Sequence, residues 1–549
     1  MHTEFSVKLL DNTCIGSSII TVFRAQRGGL MLKQPCVVCR FPARLQNART
    51  FAGVLTCLLS TFTSLGCVFG NLTAPTPITS VAATANPLVA QYNVTHTHSG
   101  LTAWVEFGTD TSYGRQTSVM ESSATARVGQ TLNILVAGMK PQTTYHMRAH
   151  VEWPGGSWLD EDHTFTTGAL PNSPAPPQIS VMVPNSGGAA GATPAPGIEL
   201  LSLVSGLEAV ATDLQGNIIW FCPGQAVPIK PMQNGHFIML QQGALVEVDL
   251  SCKEFRYVSL SDVNQSLQAA GHSYNLVSFS HDVLTLPNGH WITIIQISQN
   301  FTDLPGYPGT TSVLGDLLVD IDPNGNVVWS WSAFDHLDTT RYPYFGMPDW
   351  THSNALVLTA DNNLLLSMRA QSWIVKIDYA NGTGSGNVLW RLGEDGDFTI
   401  LAGDPSQWFY AQHYPDILST SGSQSNIAIY DDGDFRIDPS TGLQCGNAGA
   451  PACYTRATIF QIDESTNIAT LLWQDLPGYY SFWGGSIDLL SNGDMEFDSS
   501  DPFGTNSSQI TEATQTDSPQ VVWQMNLTGA NAYRGYRIPS LYPGVSWSK

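Results

Sequence analysis

Apolar and polar residues alternate along most of the chain beyond residue 75, and turn signals interrupt them every few residues. Within residues 78–168 the runs LTAWVEF, TLNILVAGM and TYHMRAHVEW alternate as strands with one face in a core do. A Pro/Gly/Ala-rich stretch follows, PNSPAPPQ and then NSGGAAGATPAPG. Pro stiffens its first part and Gly loosens its last. The pattern predicts a small all-β module over residues 76–168, a linker over 169–195 and a large β-domain over 196–549. No helix of convincing period interrupts the large domain.

That domain repeats itself imperfectly. One phrase is an apolar strand, an Asp, a turn and a strand ending in an aromatic: VATDLQGNIIWF, LVDIDPNGNVVWSW, VKIDYANGTGSGNVLW and FQIDESTNIATLLW. A second is strand, Asn-Gly-type turn, strand, as in MQNGHFIML, LPNGHWITI and LSNGDMEF. Asn-Gly supplies the positive φ angles of a tight hairpin. The phrases alternate at intervals of roughly 35 to 85 residues, the regime of propeller blades, and about six blades fit the length. The fold class expected is therefore all-β: a six-bladed β-propeller preceded by a small β-sandwich. In the first module the order VEFGTDTSYG, VAGMKPQTTYHMRAHV, DHTFTTG resembles a fibronectin type III (Ig-like) sandwich. The resemblance implies that Tyr145 is a corner tyrosine whose hydroxyl bonds back to the backbone. His96 and His98 are read as an exposed pair rather than metal ligands.

Composition sharpens this picture. The chain has 549 residues, 12% of them charged, and a formal net charge of −22. Such a surface repels nucleic acid and anionic membranes, and it obliges any anion site to build its own positive field. At the N-terminus Lys33, Arg40, Arg44 and Arg49 precede the apolar run FAGVLTCLLSTFTSLG, which meets Cys67. A basic region, an apolar run and a small-residue exit make residues 1–75 an export leader, with Met31 a more natural start than Met1. Ser64-Leu65-Gly66-Cys67 is similar to a lipoprotein box whose leucine stands one place too close, so a lipid anchor at Cys67 is weighed against plain secretion or a periplasmic location. Four cysteines follow the leader, Cys222, Cys252, Cys445 and Cys453. An even number in an oxidising compartment favours disulfides, Cys445–Cys453 closing a short loop and Cys222–Cys252 the remainder.

Chemistry concentrates at four stations: His281 in SFSHDVL, His352 and Asn354 in DWTHSNAL, Arg369 in LLLSMRA, and His413 in YAQHYPD. Three imidazoles, a carboxamide and a guanidinium can surround one small oxyanion and leave one imidazole to attack it. Arg369 offers a permanently charged planar fork. A neutral imidazole is a competent nucleophile near pH 7 without a helper base. A second imidazole can protonate a departing phenolate. The bland reading of each station alone is a satisfied structural histidine, and His236, His272, His290 and His336 are left there. Asp431, Asp432 and Asp434 read as a capped turn. No phosphate-binding Gly-rich loop with Gly-Lys-Ser/Thr, no Cys-x-Pro-x-Arg phrase and no zincin helix motif occurs, so neither a cofactor nor a metal is expected.

As an ordered set, SHDVLTLPNGH, DWTHSNAL, the Arg after LLLSM, VLWRLGEDGDF, AQHYPDIL and IAIYDDGDFR resemble the bacterial arylsulfate sulfotransferase family over most of residues 200–500. The resemblance implies a site at the propeller axis. His413 would accept the sulfuryl group, His281 and His352 would be further active-site histidines, Asn354 a polar partner and Arg369 the sulfate-binding arginine. It implies a phenolic sulfate donor and a phenolic acceptor, ping-pong transfer through a sulfohistidine, and no nucleotide donor. One departure stands out: Asp432 occupies a position where that family usually shows Asn, so Arg436 is given no more than a supporting role. An arylsulfate hydrolase on the same site, a non-catalytic propeller binding module and a quinoprotein-like dehydrogenase are the alternatives. Whether the N-terminal module pairs two chains into a homodimer stays open.

Overall fold

Antiparallel pairing runs through the whole computed structural model, which describes residues 76–547 apart from 96–98, 124–128, 185–191, 225–226, 242, 402–407 and 439. The leader, Cys67 and the His96/His98 pair lie outside the described residues. Two sheets occupy residues 78–166, one of three strands and one built around Thr102–Gly108 and Thr144–Trp153. Their inward residues, Tyr92, Val105, Phe107 and Met147 among them, are buried together. The Tyr145 hydroxyl accepts the Lys140 N–H at 2.9 Å, the back-bond expected of a corner tyrosine.

Six further sheets of four or five strands follow. Each has one edge strand that points toward the functional residues: β1 (Ile229–Pro231), β2 (Asn275–Thr285), β3 (Ser353–Leu358), β4 (His413–Ser421), β5 (Ser486–Leu489) and β6 (Ala532–Ile538). From β2 to β6 each contacts the next, and β1 joins them where Lys230 pairs with Asp282 at 2.5 Å. The last strand, β6, pairs with Ile198–Leu203, so the C-terminus completes the first of these sheets.

Three expectations need correcting. A capped helix, Leu260–Ala269, does interrupt the strands. Ser259 and Asp262 form a reciprocal capping box, and only Val263 and Leu267 are buried, too few apolar positions to betray a period. The Pro/Gly-rich segment read as a linker contributes a strand: Gln178–Met182 pairs with Val521–Thr528 at the outer edge of the last sheet. Its alternating ISVMV run outweighs its flanking prolines. Third, the three aspartates of IAIYDDGDFR are not a capped turn, since each has a partner in the site or beside it.

The two parts of the described chain share a core. Trp547 packs on Phe107 and gives its indole N–H to the Gln116 carbonyl at 3.0 Å, and the Tyr542 hydroxyl accepts the Ala137 N–H at 2.7 Å. Both expected disulfides, Cys222–Cys252 and Cys445–Cys453, are formed. Among the described residues no helix is long and apolar enough to cross a membrane.

Candidate active site

The edge strands deliver their polar residues through local breaks in register. Pairing shifts between Ser280 and Val283 on β2, between Ser353 and Ala355 on β3, and between His413 and Asp416 on β4. Each shift is a bulge, which re-aims a side chain that plain alternation would send into a sheet face. His281 (φ 54°) and His352 (φ 46°) both adopt left-handed backbone. For a non-glycine residue this costs about 1 kcal/mol or more and persists only where surrounding structure enforces it.

Four of the five predicted residues come together. The rings of His281 and His352 lie 4.8 Å apart between centroids, and Tyr533 sits within 6 Å of both His281 and His413, at 5.7 and 5.9 Å. His413 and Arg369 meet through one carboxylate. Asp432 Oδ2 lies 2.6 Å from His413 Nδ1 and 3.9 Å from Arg369 Nε. On the far side of the imidazole, the Gly484 N–H points at His413 Nε2 from 3.3 Å. A nitrogen that accepts cannot also carry the proton, so the proton sits on Nδ1 facing Asp432 and the Nε2 lone pair accepts the Gly484 N–H. Gly484 can make this approach because it has φ +69° and because a Cβ there would fall 2.3 Å from Ser500 Oγ.

Arg369 is buried and heavily engaged. Its Nη2 donates to Asp434 at 2.8 Å and to the Phe482 carbonyl at 2.6 Å, and its guanidinium lies 4.1 Å over the Phe345 ring. Its Nε, in contrast, is buried without a hydrogen-bond partner. His352 has a side chain a quarter exposed, and its Nδ1 is held by Asp349 at 2.5 Å. His281 Nδ1 lies 3.1 Å from the Tyr533 hydroxyl.

Asn354, the fifth predicted residue, stands one layer back. Its Nδ2 donates to the Gln412 carbonyl at 2.7 Å, and its own carbonyl accepts from Arg534. It therefore braces the residue before His413, and that N–H is not free to hold an oxyanion.

Electrostatics favour a neutral imidazole at His413. Burial, then the positive field of Arg369 and the neighbouring histidines and Arg534, holds the His413 imidazolium well below the usual histidine range. His281 is depressed in the same way, first by burial and then by His352. Burial pushes the Asp434 carboxyl up to about 6 despite Arg369. Arg534, fully buried and paired with Asp282 at 3.1 Å, adds fixed positive charge behind the site. In a chain of net charge −22, these arginines supply the local field that an anion requires.

The histidines read as structural have structural partners. His236 pairs with Glu247 at 2.6 Å, His290 with Asp320 at 2.9 Å, and His336 and His272 stack on Trp331 and Tyr274. Sequence reasoning missed Asp432 as the histidine's partner, Asp434 as the arginine's, and Gly484, Tyr533 and Asp349. Only Asp432 had left a signal, through its departure from the family pattern.

His413, Arg369, His281 and His352 thus make one small, electropositive polar centre. The chain belongs to the arylsulfotransferase (ASST) family, whose profile matches residues 201–537. It is thus a sulfotransferase that takes a sulfuryl group from an aryl sulfate to a phenol. No curated protein matches. Solved structures with similarity include a protein of unknown function from Bacteroides caccae, 11% identical over 62% of this chain and 98% of that one, with a TM-score of 0.39. A streptogramin B lyase is 11% identical over 64% and 98%, with a TM-score of 0.30. A periplasmic gluconolactonase of Pseudomonas aeruginosa is 9% identical over 72% and 95%, also at 0.30. Scores this low carry no argument about the chain.

Proposed function

We propose that this protein moves the sulfuryl group by a ping-pong mechanism in which His413 Nε2 is the nucleophile. The observation that carries the reading is the tautomer: Asp432 holds the Nδ1 proton, and the opposite lone pair is unprotonated in a buried, electropositive setting. An aryl sulfate spreads one charge over three oxygens and reacts through a loose, in-line transition state, so positioning and charge stabilisation do most of the catalysis. Arg369 Nε is the donor best placed to hold a sulfate oxygen. As the S–O(aryl) bond breaks, the Nε2 lone pair gives up the weak Gly484 N–H bond and forms the bond to sulfur, and the positive charge arising on the imidazole is stabilised through Nδ1–H by Asp432. The departing phenolate takes a proton from His352, whose ring is anchored on Asp349 and open to the substrate side. His281, buried and depressed, is a poor acid and serves the oxyanion as a neutral neighbour. An acceptor phenol then gives its proton to His352 and collects the sulfuryl group from His413.

The six four- or five-stranded sheets are, on this reading, the blades of a propeller whose edge strands β1–β6 surround the site, and the two sheets of residues 78–166 are a sandwich. Two disulfides support export from the cytoplasm.

The test is direct. Purified protein given 4-nitrophenyl sulfate should release nitrophenol at a rate that rises with added phenol and needs no nucleotide. Donor alone should leave one sulfuryl group on His413, read by peptide mass. Release indifferent to phenol would make the enzyme a hydrolase, and unmodified His413 would end the covalent scheme.

A further inference from the structure

A cavity of about 380 Å³ opens beside His281, between the first three of the six sheets. Its walls include the apolar side chains of Phe279, Leu240 and Val227, with Val204, 45% exposed, at the lip. One acid, Glu208, lines it as well. Gln241, Ser278, Ser280 and Gln296 line it too, so the cleft offers a ring both apolar wall and polar contacts. A single aromatic ring seated there, with its oxygen toward His281, would present that oxygen to the histidine pair while Phe279 and Leu240 cover the ring.

Glu208 is the one acid that meets this cavity. Among the described residues its side chain has neither an ion-pair nor a hydrogen-bond partner, and burial alone lifts its carboxyl above the ordinary value. The acids that touch the predicted site residues are paired there, Asp432 with His413, Asp434 with Arg369 and Asp349 with His352, whereas Glu208 meets only the cavity. A half-buried carboxylate without a partner is a cost that a cationic ligand would relieve. We propose that this cavity is the seat of the aryl group and that Glu208 selects phenols bearing a side-chain ammonium over neutral or carboxylate-bearing ones. The inference rests on the sulfuryl-transfer reading and names its substrate class. Since donor and acceptor take turns in a ping-pong cycle, one seat serves both.

The experiment compares tyramine, tyrosol and 3-(4-hydroxyphenyl)propionate as acceptors from 4-nitrophenyl sulfate, using the full chain. Expected kcat/KM falls in that order, with tyramine ahead of the propionate by about tenfold or more. Glu208→Gln should shrink that ratio by roughly fivefold, the scale of one partly screened charge pair. Val204→Trp, a surface change at the lip, should raise KM for all three. An unchanged ratio in E208Q together with an unchanged KM in V204W would overturn the seat and leave sulfuryl transfer standing. If the wild-type protein transfers to none of the phenols, the transfer reading fails and the seat fails with it.

Discussion

Two clusters of buried charge lie back to back at the end of the strand Gln424–Asp431, built on consecutive residues. Asp431 turns one way and is saturated: Oδ1 accepts the Tyr410 N–H at 2.9 Å, and Oδ2 accepts from Arg436 and Arg456, each at 2.6 Å. Asp432 turns the other way, gives Oδ2 to His413, and keeps Oδ1 buried without a partner. Successive residues of an extended chain face opposite sides, which is how neighbouring acids of equal burial come to different surroundings. A saturated carboxylate is fixed and holds elements together. One that keeps spare capacity beside a nucleophile can answer a charge that arises only during reaction.

The contrast can be broken with single substitutions. The largest effect is expected at the nucleophile: His413→Ala should cut transfer by about 10⁴-fold or more, since no other unprotonated imidazole has its lone pair so placed. Thermal unfolding of that variant should stay close to wild type, because one imidazole lost beside Gly484 leaves the sheets intact. Asp431→Ala should reverse the pattern. Asp431→Ala removes the buried carboxylate that Arg436 and Arg456 share, at a cost of about 3–5 kcal/mol. Reduced soluble yield and a lowered unfolding midpoint would register it; a D431A protein that is stable but slow would contradict the division of labour. Asp432→Asn comes third. Asn can still accept the Nδ1 proton, so folding should survive, but loss of the charge-assisted bond should slow sulfurylation of His413 by roughly 10- to 100-fold. Burial and then Asp434 push the Asp432 carboxyl well up against the pull of Arg369, and removing whatever charge it carries only favours the neutral imidazole, so the acid limb of kcat/KM should not move to higher pH. Wild-type rates in D432N would show that the carboxylate does no more than the amide usual in the family.

How much of this was legible beforehand follows from the same geometry. Strand alternation and Asn-Gly turns are local, so the all-β character and the rough length of each repeat could be read directly. His281, His352, Arg369 and His413 could be singled out because they stand in an ordered set of phrases. Their partners could not be found that way. Asp432 reaches His413 across 19 residues and Asp434 reaches Arg369 across 65, through bulges and turns whose direction no local pattern encodes. Asn354 was expected to donate to the oxyanion, and in the fold one of its two Nδ2 hydrogens goes to the Gln412 carbonyl. Tyr533, near the C-terminus, enters the site only because β6 returns to complete the first of the six sheets.

The smallest effect tests the other aspartate of the phrase. Asp434 carries a carboxyl pushed up to about 6 by burial, and it occupies Arg369 Nη2 while the Tyr480 hydroxyl donates to its second oxygen at 2.5 Å. Its folded value lies above that of a free carboxyl, so it gains its proton as the pH falls through about 6 and then no longer competes for the guanidinium. Inorganic sulfate should therefore bind more tightly at the lower pH, by roughly threefold across the transition. Titration calorimetry with sulfate alone reads this without any turnover. Protonation of the site histidines would push binding in the same direction, and Asp434→Asn separates the two: it should bind sulfate at neutral pH as the wild type does in acid, and lose the component centred near 6. An Asp434→Asn protein whose sulfate affinity keeps the full wild-type pH dependence would show that Arg369 is not held in check by this carboxylate.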